Sequence, residues 1–339
     1  MNVGIIGLGF MGATHLRAFL HSRDVNVAAI CSSDPKKHNG DFSGVHGNFH
    51  RNVSSLDLRE VAKYTDPAAL IAHPGLDAVS ICVPTDLHAP MALSAMRAGL
   101  DVLLEKPMAL TAAACDQLQH EAAEHEIILM IGHVLRFWPE YLTLGEFIHA
   151  QGASRIRHAA FERRGPIPRS AWFRRPSSSG GALLDLLVHD FDQALQLFGW
   201  PVAVEARDAP GFDAVQATLF YESGLEVSIH GGWIEEDYPF AMSFHARSED
   251  GGTLHLSNTG VLTAESEGGT SLIVENSGSD PFQAEIDYFV HCCHTRQQPE
   301  RCPPAQAAQA VKLALLLSQS RIRSGAPVSC RQETAIPVY

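Results

Sequence analysis

The 339-residue chain lacks several features that define common protein classes. No apolar run reaches the ~18–20 residues that a membrane-spanning helix needs, which argues against an integral membrane protein of the helical class. The N-terminal segment has no basic region and no small-residue cleavage site, so no signal peptide is expected. Basic residues are few, since 25 Lys and Arg stand against 38 Asp and Glu, a formal net charge of −13. A field of that sign repels nucleic acid and anionic membranes, so we expect neither as a partner.

Cysteine is also sparse, and the seven thiols are scattered without a CxxC pair. An odd number of thiols without a signal peptide predicts a reduced, cytoplasmic protein. The segment His291-Cys292-Cys293-His294 invites a metal-binding interpretation. However, adjacent cysteines on a helix point about 100° apart, and no second ligand pair follows at zinc spacing. We therefore predict no metal site.

The first part of the chain alternates short apolar segments with helical patterns. Strands are predicted at 2–7, 25–32, 77–83, 101–105 and 127–132, with a short edge strand within 38–56. Helices are predicted after Gly12 and at 66–72, 86–99 and 111–125. On the first helix Leu16, Phe19 and Leu20 form the apolar face, and His15 is expected elsewhere. Strand–helix alternation with short connections predicts a parallel sheet covered on both faces.

The second part follows a different pattern. Six segments between 154 and 256 alternate apolar and polar residues with a period of two, which predicts a mostly antiparallel sheet with one covered face. Two helices, at about 282–295 and 304–323, close the chain. Since the pattern changes near residue 132, we predict one domain over 1–132 and a second over 133–339.

A GxGxxG motif occupies the turn after the first strand. Its glycines are Gly7, Gly9 and Gly12, and Phe10 and Met11 lie between them. Such glycines serve a tight turn, the close approach of a pyrophosphate and helix–sheet contact. The helix that follows offers N–H groups and a positive dipole end to phosphates. The motif and its position predict a dinucleotide site formed by these five residues, with an ordinary glycine turn as the alternative.

The end of the second strand bears on the choice of cofactor. A carboxylate that binds the ribose 2′-hydroxyl is expected there, but the chain has Ser32 and Ser33. The nearest acid is Asp34, and Lys36 and Lys37 follow it. Hydroxyls with ammonium groups nearby tolerate a 2′-phosphate, so the expected cofactor is NAD(P) with a preference for NADP. Two solvated lysines without a ligand are the alternative.

Two further segments carry titratable groups in positions that suit chemistry. Glu105-Lys106-Pro107 ends a strand, where functional groups cluster in open α/β sheets, and a surface ion pair is the alternative. Asp185 and His189 are four residues apart, so they would share one face of a single helix. A carboxylate beside an imidazole can fix its tautomer and tune its pKa. A satisfied core histidine is the alternative.

These motifs occur in the order found in the Gfo/Idh/MocA oxidoreductases (glucose–fructose oxidoreductase, inositol dehydrogenase and relatives), which the chain resembles over almost its whole length. The segments that carry the resemblance are GLGFMG, VPTDLHAP, EKP, HVLRFWPEY and GGALLDLLVHDFD. The resemblance implies an α/β protein. Its N-terminal Rossmann domain, with a parallel sheet, would bind NAD(P). Its C-terminal α+β domain, with a large, mostly antiparallel open sheet, would bind substrate and form a homodimer or homotetramer.

The resemblance also implies roles for individual residues. The matching positions are Lys106, Asp185 and His189 for catalysis, Pro84, Thr85, His88, Glu105 and Lys106 for the cofactor, and Arg136 and Trp172 for substrate or nicotinamide. Two positions depart from the family pattern, because Leu187 replaces the glycine of a DxGxH motif and Ser32 replaces the second-strand acid. Both departures affect the choice of substrate or cofactor.

The implied reaction is hydride transfer between a nicotinamide and a hydroxyl or keto carbon of a sugar, polyol or cyclitol. A histidine titrates near neutral pH, so His189 would accept the hydroxyl proton. Asp185 would orient it or relay the proton, and Lys106 would stabilise negative charge on the oxygen. Two other functions stay open: an NAD(P)-assisted glycosidase or lyase that uses transient oxidation, and a non-catalytic nucleotide-binding sensor.

Overall fold

The computed structural model describes residues 1–45, 47, 55–266, 269–274 and 278–331. The chain divides into two compact units. The first unit comprises Met1–Val134 and Asp280–Ala308, and the second comprises Leu135–Ser279 and Gln309–Tyr339. Each unit is built around a sheet of its own.

The first unit alternates strands and helices along the chain. Its strands are β1 (Asn2–Ile6), β2 (Asn26–Cys31), β3 (Ala62–Tyr64), β4 (Ala78–Ile81), β5 (Asp101–Glu105) and β6 (Leu129–Gly132). The helices between them are α1 (Phe10–His21), α2 (Pro67–Ile71), α3 (His88–Arg97) and α4 (Ala112–Glu124). All six strands pair in parallel, in the order β3-β2-β1-β4-β5-β6. This is the doubly wound order of dinucleotide-binding sheets, and it confirms the predicted parallel sheet.

The second unit contains a nine-stranded sheet and four helices before residue 200. Its strands are β7 (Ile156–Gly165), β8 (Ala203–Ala209), β9 (Asp213–Phe220), β10 (Glu226–Trp233), β11 (Ala241–Ser248), β12 (Thr253–Leu256), β13 (Leu262–Ser266), β14 (Gly269–Val274) and β15 (Val328–Ser329). Its helices are α5 (Pro139–Gln151), α6 (Pro176–Ser179), α7 (Gly181–Asp185) and α8 (Val188–Phe198). The strand order is β14-β13-β12-β11-β7-β10-β9-β8-β15, and within the described part of this sheet β7 and β10 form the one parallel pair. The prediction of a large, mostly antiparallel sheet is therefore confirmed.

The central strands of the second sheet bury one face, as their alternating pattern predicts. Phe161 on β7, Ile229 on β10 and Phe244 on β11 are fully buried. The rings of Phe161 and Phe244 lie on paired strands with their centroids 4.8 Å apart. This apolar layer forms the core of the second unit.

The last two helices, α9 (Pro281–Thr295) and α10 (Pro304–Ile322), match the predicted segments closely. The predicted division into 1–132 and 133–339 differs from the compact units at this point, because 280–308 belongs to the first unit. The physical reason is packing against α1. The rings of Phe19 and Phe289 meet edge to face at 6.4 Å, and Arg17 pairs with Asp280 at 2.8 Å.

One local prediction in the first unit is wrong. His15 is fully buried and Leu20 is 41% exposed, because His15 lies four residues before Phe19 and so shares its inward face. Among the described residues, the edge strand of the first sheet is β3, at Ala62–Tyr64. The sequence instead predicts a short edge strand within 38–56. Of that predicted segment, residues 46 and 48–54 lie outside the described residues.

No helix within the described ranges is both long enough and apolar enough to cross a lipid bilayer.

Candidate active site

The glycine motif forms a tight cradle at the carboxyl end of β1. Gly7 has φ +92°, and a Cβ built on it would lie 2.4 Å from the carbonyl oxygen of Cys82. A Cβ on Gly12 would lie 1.7 Å from the carbonyl oxygen of Gly7, so only glycine fits there. A Cβ on Gly9 would meet no described atom within 4 Å, so the space over the cradle is open at this point. The motif therefore combines a closed turn beneath with an approachable backbone above, as a pyrophosphate requires.

Helix α1 begins directly at the cradle and suits an anion. Gly9 is its N-cap and contributes no capping side chain, and its first turn contains no acidic residue. The first N–H groups of a helix have no partner within the helix, and the helix dipole places positive charge at this end. Phe10 and Met11 in this turn are half-buried. The residues present thus fit the phosphates of a dinucleotide.

The end of β2 shows how the serines and lysines predicted to contact a ribose are placed. Ser32 is buried, and its hydroxyl oxygen accepts the Asp34 N–H at 3.2 Å. The Asp34 carboxylate accepts the Lys36 N–H at 3.1 Å and so caps a short 3-10 helix at Pro35–Asn39. Ser33 and Lys36 are exposed, and Lys37 is half-buried. The carboxylate nearest in sequence is therefore engaged in capping a local turn.

A buried polar cluster lies beneath the cradle, and we call it the His15 cluster: His15 on α1, Ser80 on β4, Cys82 after β4, and Glu105 on β5. The Nδ1 atom of His15 lies 2.8 Å from Ser80 Oγ and 3.5 Å from Cys82 Sγ. Its Nε2 atom lies 3.1 Å from Glu105 Oε1, within ion-pair distance although off the hydrogen-bond line. One imidazole thus connects the helix under the cradle to two strands of the sheet.

The cluster is charged. Burial lowers the pKa of His15, but Cys82 and Glu105 outweigh burial and raise it well above the ordinary value. Burial likewise raises the pKa of Glu105, but the close contact with His15 and the charges of His15 and Lys106 outweigh burial, so the pKa is lowered. At neutral pH the pair is therefore an imidazolium facing a carboxylate, which is how two buried titratable groups avoid an uncompensated charge.

A third titratable group, Glu285 on α9, is fully buried close to this pair. Neither of its carboxyl oxygens has a hydrogen-bond partner among the described residues. Burial raises the pKa of Glu285, the charge of His15 opposes this rise, and the charge of Glu105 adds to it, so that the pKa is raised to about 8. Glu285 therefore carries a proton at neutral pH.

Lys106 follows β5 directly and is half-buried at the carboxyl edge of the same sheet. Its backbone N–H donates to Glu105 Oε2 at 3.1 Å, and the Lys106–Pro107 peptide bond is cis. His88 supports the next residue from below, since its Nδ1 atom lies 2.8 Å from the carbonyl oxygen of Pro107 and its Nε2 atom 3.0 Å from that of Val83. Burial lowers the pKa of His88, which favours the neutral imidazole.

The residues that the resemblance assigns to the cofactor differ in their exposure. Pro84 is half-buried at the edge of the sheet. Thr85, His88 and Glu105 are buried, with 2%, 1% and 5% of their surfaces exposed. His88 bonds to the carbonyl oxygens of Val83 and Pro107, and Glu105 accepts the N–H of Lys106, so these two side chains support the segments around Lys106.

In the second unit, the prediction that Asp185 and His189 share one helix is wrong. Asp185 is the last residue of α7, and His189 is the second residue of α8. The helix is interrupted because the N–H of Leu187 bonds to the carbonyl oxygen of Ala182, five residues back, at 2.9 Å. Asp185 is buried and His189 is half-buried.

The two glycines before α7 serve the backbone. Gly180 and Gly181 have φ +77° and +72°, in the left-handed region that favours glycine. This conformation lets Asp213 accept the N–H of Ala182 at 2.7 Å and hold the start of α7. Arg321 on α10 pairs with the same carboxylate at 2.8 Å.

Helix α8 is held by two buried arginines. Arg163 on β7 donates to both oxygens of Asp190, each at 2.8 Å. Burial lowers the pKa of Arg163, but the charge of Asp190 outweighs it and raises the pKa, so the guanidinium stays charged. Arg136 donates to both oxygens of Asp192, at 2.9 and 2.5 Å, and is 5% exposed. These pairs hold the first turns of α8, which carries His189.

Trp172 lies in the turn before α6 and is half-buried. Its ring stacks on Phe173 with centroids 3.7 Å apart, and Phe173 meets Trp233 edge to face at 6.1 Å. The indole is thus a rigid aromatic surface on the second unit.

Sequence reasoning missed His15, Glu285 and Arg163. The position of His15 four residues before Phe19 was the available signal for the first. For Arg163, the signal was its place on a strand with strict alternation, where it falls on the same face as Phe161. Glu285 offered the same signal as His15, because it lies four residues before Phe289 on α9. Its neighbours could not be foreseen, since the pairing of α9 with α1 joins segments more than 260 residues apart. No group of three or more metal-ligating side chains occurs in the part of the chain described here.

Comparison with known proteins gives consistent matches. The family described as "Oxidoreductase family, NAD-binding Rossmann fold" matches residues 1–133, and the "GFO/IDH/MocA C-terminal domain" matches 141–253. The chain is 32% identical to inositol 2-dehydrogenase 1 of Saccharopolyspora erythraea over 86% of this chain and 70% of that protein. It is 28% identical to inositol 2-dehydrogenase of Rhizobium meliloti over 67% of each. The structure of aldose-aldose oxidoreductase from Caulobacter crescentus shares the fold, with a TM-score of 0.81, 19% identity, and coverage of 97% of this chain and 99% of that one.

The protonation of Glu285 predicts a pH dependence of stability. Its folded pKa of about 8 lies above the ~4.3 of an unfolded chain, so the folded protein keeps a proton that the unfolded chain has lost. The contribution of Glu285 to the free energy of unfolding is therefore largest below pH ~4.3. Above that pH it falls by up to ~1.4 kcal/mol per pH unit, until the pH passes 8. Urea unfolding of Glu285→Gln between pH 5 and 8 should show this slope removed.

Glu226→Gln, an exposed change on β10, is the matched control and should leave the slope as in the unmodified protein. A buried amide without partners costs the same at every pH, so the test depends on the slope and not on the absolute stability. If the free energy of unfolding changed with pH in the same way in Glu285→Gln and in the unmodified protein, this would contradict a protonated Glu285.

Proposed function

Because the chain belongs to the Gfo/Idh/MocA oxidoreductase family, we propose that it is an NAD(P)-dependent dehydrogenase or reductase. It would interconvert hydroxyl and keto groups on a sugar, polyol or cyclitol. The observation that carries the proposal is the carboxyl edge of the first sheet, where the glycine cradle and Lys106 both lie. The relatives named inositol 2-dehydrogenase support a hydroxylated ring as the substrate.

The cradle of Gly7, Gly9 and Gly12 would hold the pyrophosphate against the start of α1, with Phe10 and Met11 beside it. We propose NADP as the preferred form. The buried Ser32 stands where a carboxylate would bind the ribose 2′-hydroxyl, and Lys36 follows four residues later in the short 3-10 helix. The relatives include scyllo-inositol 2-dehydrogenases named for NADP and for NAD, so membership of the family leaves both forms open.

The nicotinamide supplies the site that accepts or donates hydride. In the oxidative direction His189 takes the hydroxyl proton, and Asp185 orients the imidazole or relays that proton. Lys106 stabilises the negative charge that develops on the substrate oxygen. In the reductive direction the same three groups protonate the product. Each assignment matches a family motif, and each residue carries a titratable group suited to its step.

The buried pairs of the second unit support the role of His189. Asp190 and Asp192, on the same helix turns, are each fixed by two hydrogen bonds from a buried arginine. A catalytic side chain acts best from a rigid element, because its geometry is then set before substrate arrives. We propose Arg136 as a positioning residue that acts through Asp192, and Trp172 as the aromatic contact for substrate.

A panel of sugars, polyols and cyclitols with NAD and NADP tests the proposal directly. Net change in nicotinamide absorbance with at least one substrate is the expected result. Turnover of a glycoside or elimination substrate without net change would instead support the glycosidase or lyase alternative. Dinucleotide binding without turnover of any substrate would support the sensor alternative. A homodimer or homotetramer and a cytoplasmic location stay predictions.

Lys106→Met should abolish most turnover and retain the dinucleotide. Loss of one group that stabilises a developing oxyanion costs about 10²–10³-fold in kcat. The measurement is steady-state kinetics on the best substrate of the panel, together with the Kd for the dinucleotide. Lys63→Met, a change at the edge strand β3 of the same sheet, is the matched control. Turnover of Lys106→Met within threefold of the unmodified enzyme would contradict the assignment.

Ser32→Asp should shift the cofactor preference from NADP toward NAD. A carboxylate at this position would bind the ribose 2′-hydroxyl and repel a 2′-phosphate. A charged hydrogen bond gained or lost is worth ~1.5–3 kcal/mol, so the ratio of kcat/KM values should change about 10–100-fold. Ser33→Asp, at the exposed neighbouring position, is the control. An unchanged ratio in Ser32→Asp would contradict the proposed contact.

A further inference from the structure

A small cavity lies in the second unit, between the start of α5 and the strands β11 and β12, and we call it the Glu140 cavity. Its wall includes Trp138, Glu140 and Tyr141 at the start of α5, Met242 on β11 and Ser257 after β12. It has room for one occupant of about the size of a water molecule. All these residues belong to the second unit, so the cavity is formed by a single compact body.

Glu140 is the one charged side chain in the wall of this cavity. The residue is 2% exposed, and its Oε2 atom has no hydrogen-bond partner among the described residues. It lies in the first turn of α5, where the helix dipole offers the equivalent of only about half a positive charge. A buried carboxylate needs a full counter-charge or several hydrogen bonds, so the helix alone leaves Glu140 incompletely compensated.

The arginine that reaches the wall of the cavity is already neutralised. Arg163 donates to Met242 Sδ at 3.4 Å, and it donates to both oxygens of Asp190 at 2.8 Å each. Its positive charge is therefore balanced by a carboxylate on α8. With Glu140 included, this buried group of side chains has one negative charge in excess, which an additional cation would balance.

The composition of the wall favours an ammonium group over a metal ion. The Ser257 hydroxyl oxygen accepts the N–H groups of Thr259 and Val261, at 3.3 and 3.1 Å, so it is largely engaged. Hard metal cations require several oxygen ligands. An ammonium group can instead donate to a single carboxylate, and aromatic rings such as those of Trp138 and Tyr141 attract it electrostatically.

We propose that the Glu140 cavity binds an ammonium group, either the free ammonium ion or the head of a small primary amine. Glu140 accepts an N–H of this group, and the rings of Trp138 and Tyr141 lie beside the cation. Because the unfolded chain has no such site, the bound cation stabilises the folded protein. The proposed function uses only Arg136 from the segment HVLRFWPEY, so this inference does not depend on it.

Thermal unfolding at neutral pH in different chloride salts of equal ionic strength tests the proposal. At about 100 mM, ammonium should raise the Tm of the unmodified protein by at least about 2 °C relative to tetramethylammonium, which is too large for the cavity. Potassium has nearly the size of ammonium but no N–H groups, so it should raise the Tm less. Equal Tm values in ammonium and tetramethylammonium, or in ammonium and potassium, would overturn the proposal.

Glu140→Gln keeps the shape of the side chain and removes its charge, so the Tm difference between the salts should disappear. Glu146→Gln, at an exposed position of the same helix, is the matched control and should retain the difference. Each protein is compared with itself across the salts, so a lower stability of Glu140→Gln does not affect the test. A shift in Glu140→Gln as large as in the unmodified protein would contradict the site.

NMR with ¹⁵N-labelled ammonium gives a second readout on the unmodified protein. Bound ammonium should show nuclear Overhauser contacts to indole protons of Trp138, and Trp138→Leu should weaken its binding several-fold. Methylammonium separates the two sources of the group. A Tm shift equal to that of ammonium assigns the site to a primary amine, and a shift with ammonium alone assigns it to the free ion. Absence of any contact between ammonium and Trp138 at saturating ammonium would overturn the assignment.

Discussion

The carboxyl edge of the first sheet depends on one buried contact, between the imidazole of His15 and the carboxylate of Glu105. His15 belongs to the helix that starts at the glycine cradle, and Glu105 ends the strand before Lys106. Either charge alone would be costly in this buried place, because an unpaired buried charge is poorly solvated. The pair therefore joins the phosphate-binding end of the unit to the strand that presents the lysine. Glu285 adds a proton-bearing carboxyl to the same buried region without adding a charge at neutral pH.

Buried pairs of opposite charges also hold the site in the second unit, where the positive partner is arginine. Arg163 and Arg136 each make a pair of hydrogen bonds to an aspartate on α8, and all four residues are buried. Replacing one partner of such a pair leaves an uncompensated charge, so the pairs tolerate little change. Their effect is to hold the helix that carries His189 at its first turns. In both units, then, buried charge pairs hold the segments that carry the half-buried Lys106 and His189.

The parts of the site that follow from local rules could be predicted from the sequence. The glycine cradle and the position of Lys106 follow from a strand, a turn and the common edge of parallel strands. The interruption between α7 and α8 could not be predicted, because it depends on one N–H of Leu187 bonding five residues back. Glu285 could not be placed either, because its surroundings are created by the packing of α9 on α1. His15 lay within reach of sequence rules, but helical amphipathicity treats histidine as a surface residue, and here the ion pair makes burial possible.

Calorimetry of dinucleotide binding to the unmodified protein and to Gly9→Asp tests the account most directly. A side chain at Gly9 meets no described atom within 4 Å, and its φ of −75° suits any residue, so this variant should keep its fold. Its carboxylate would occupy the position of the phosphates at the start of α1. The account predicts saturable binding of NADPH or NADH to the unmodified protein, and binding at least about tenfold weaker in Gly9→Asp. No binding of either dinucleotide to the unmodified protein, or equal affinities in the two proteins, would contradict it.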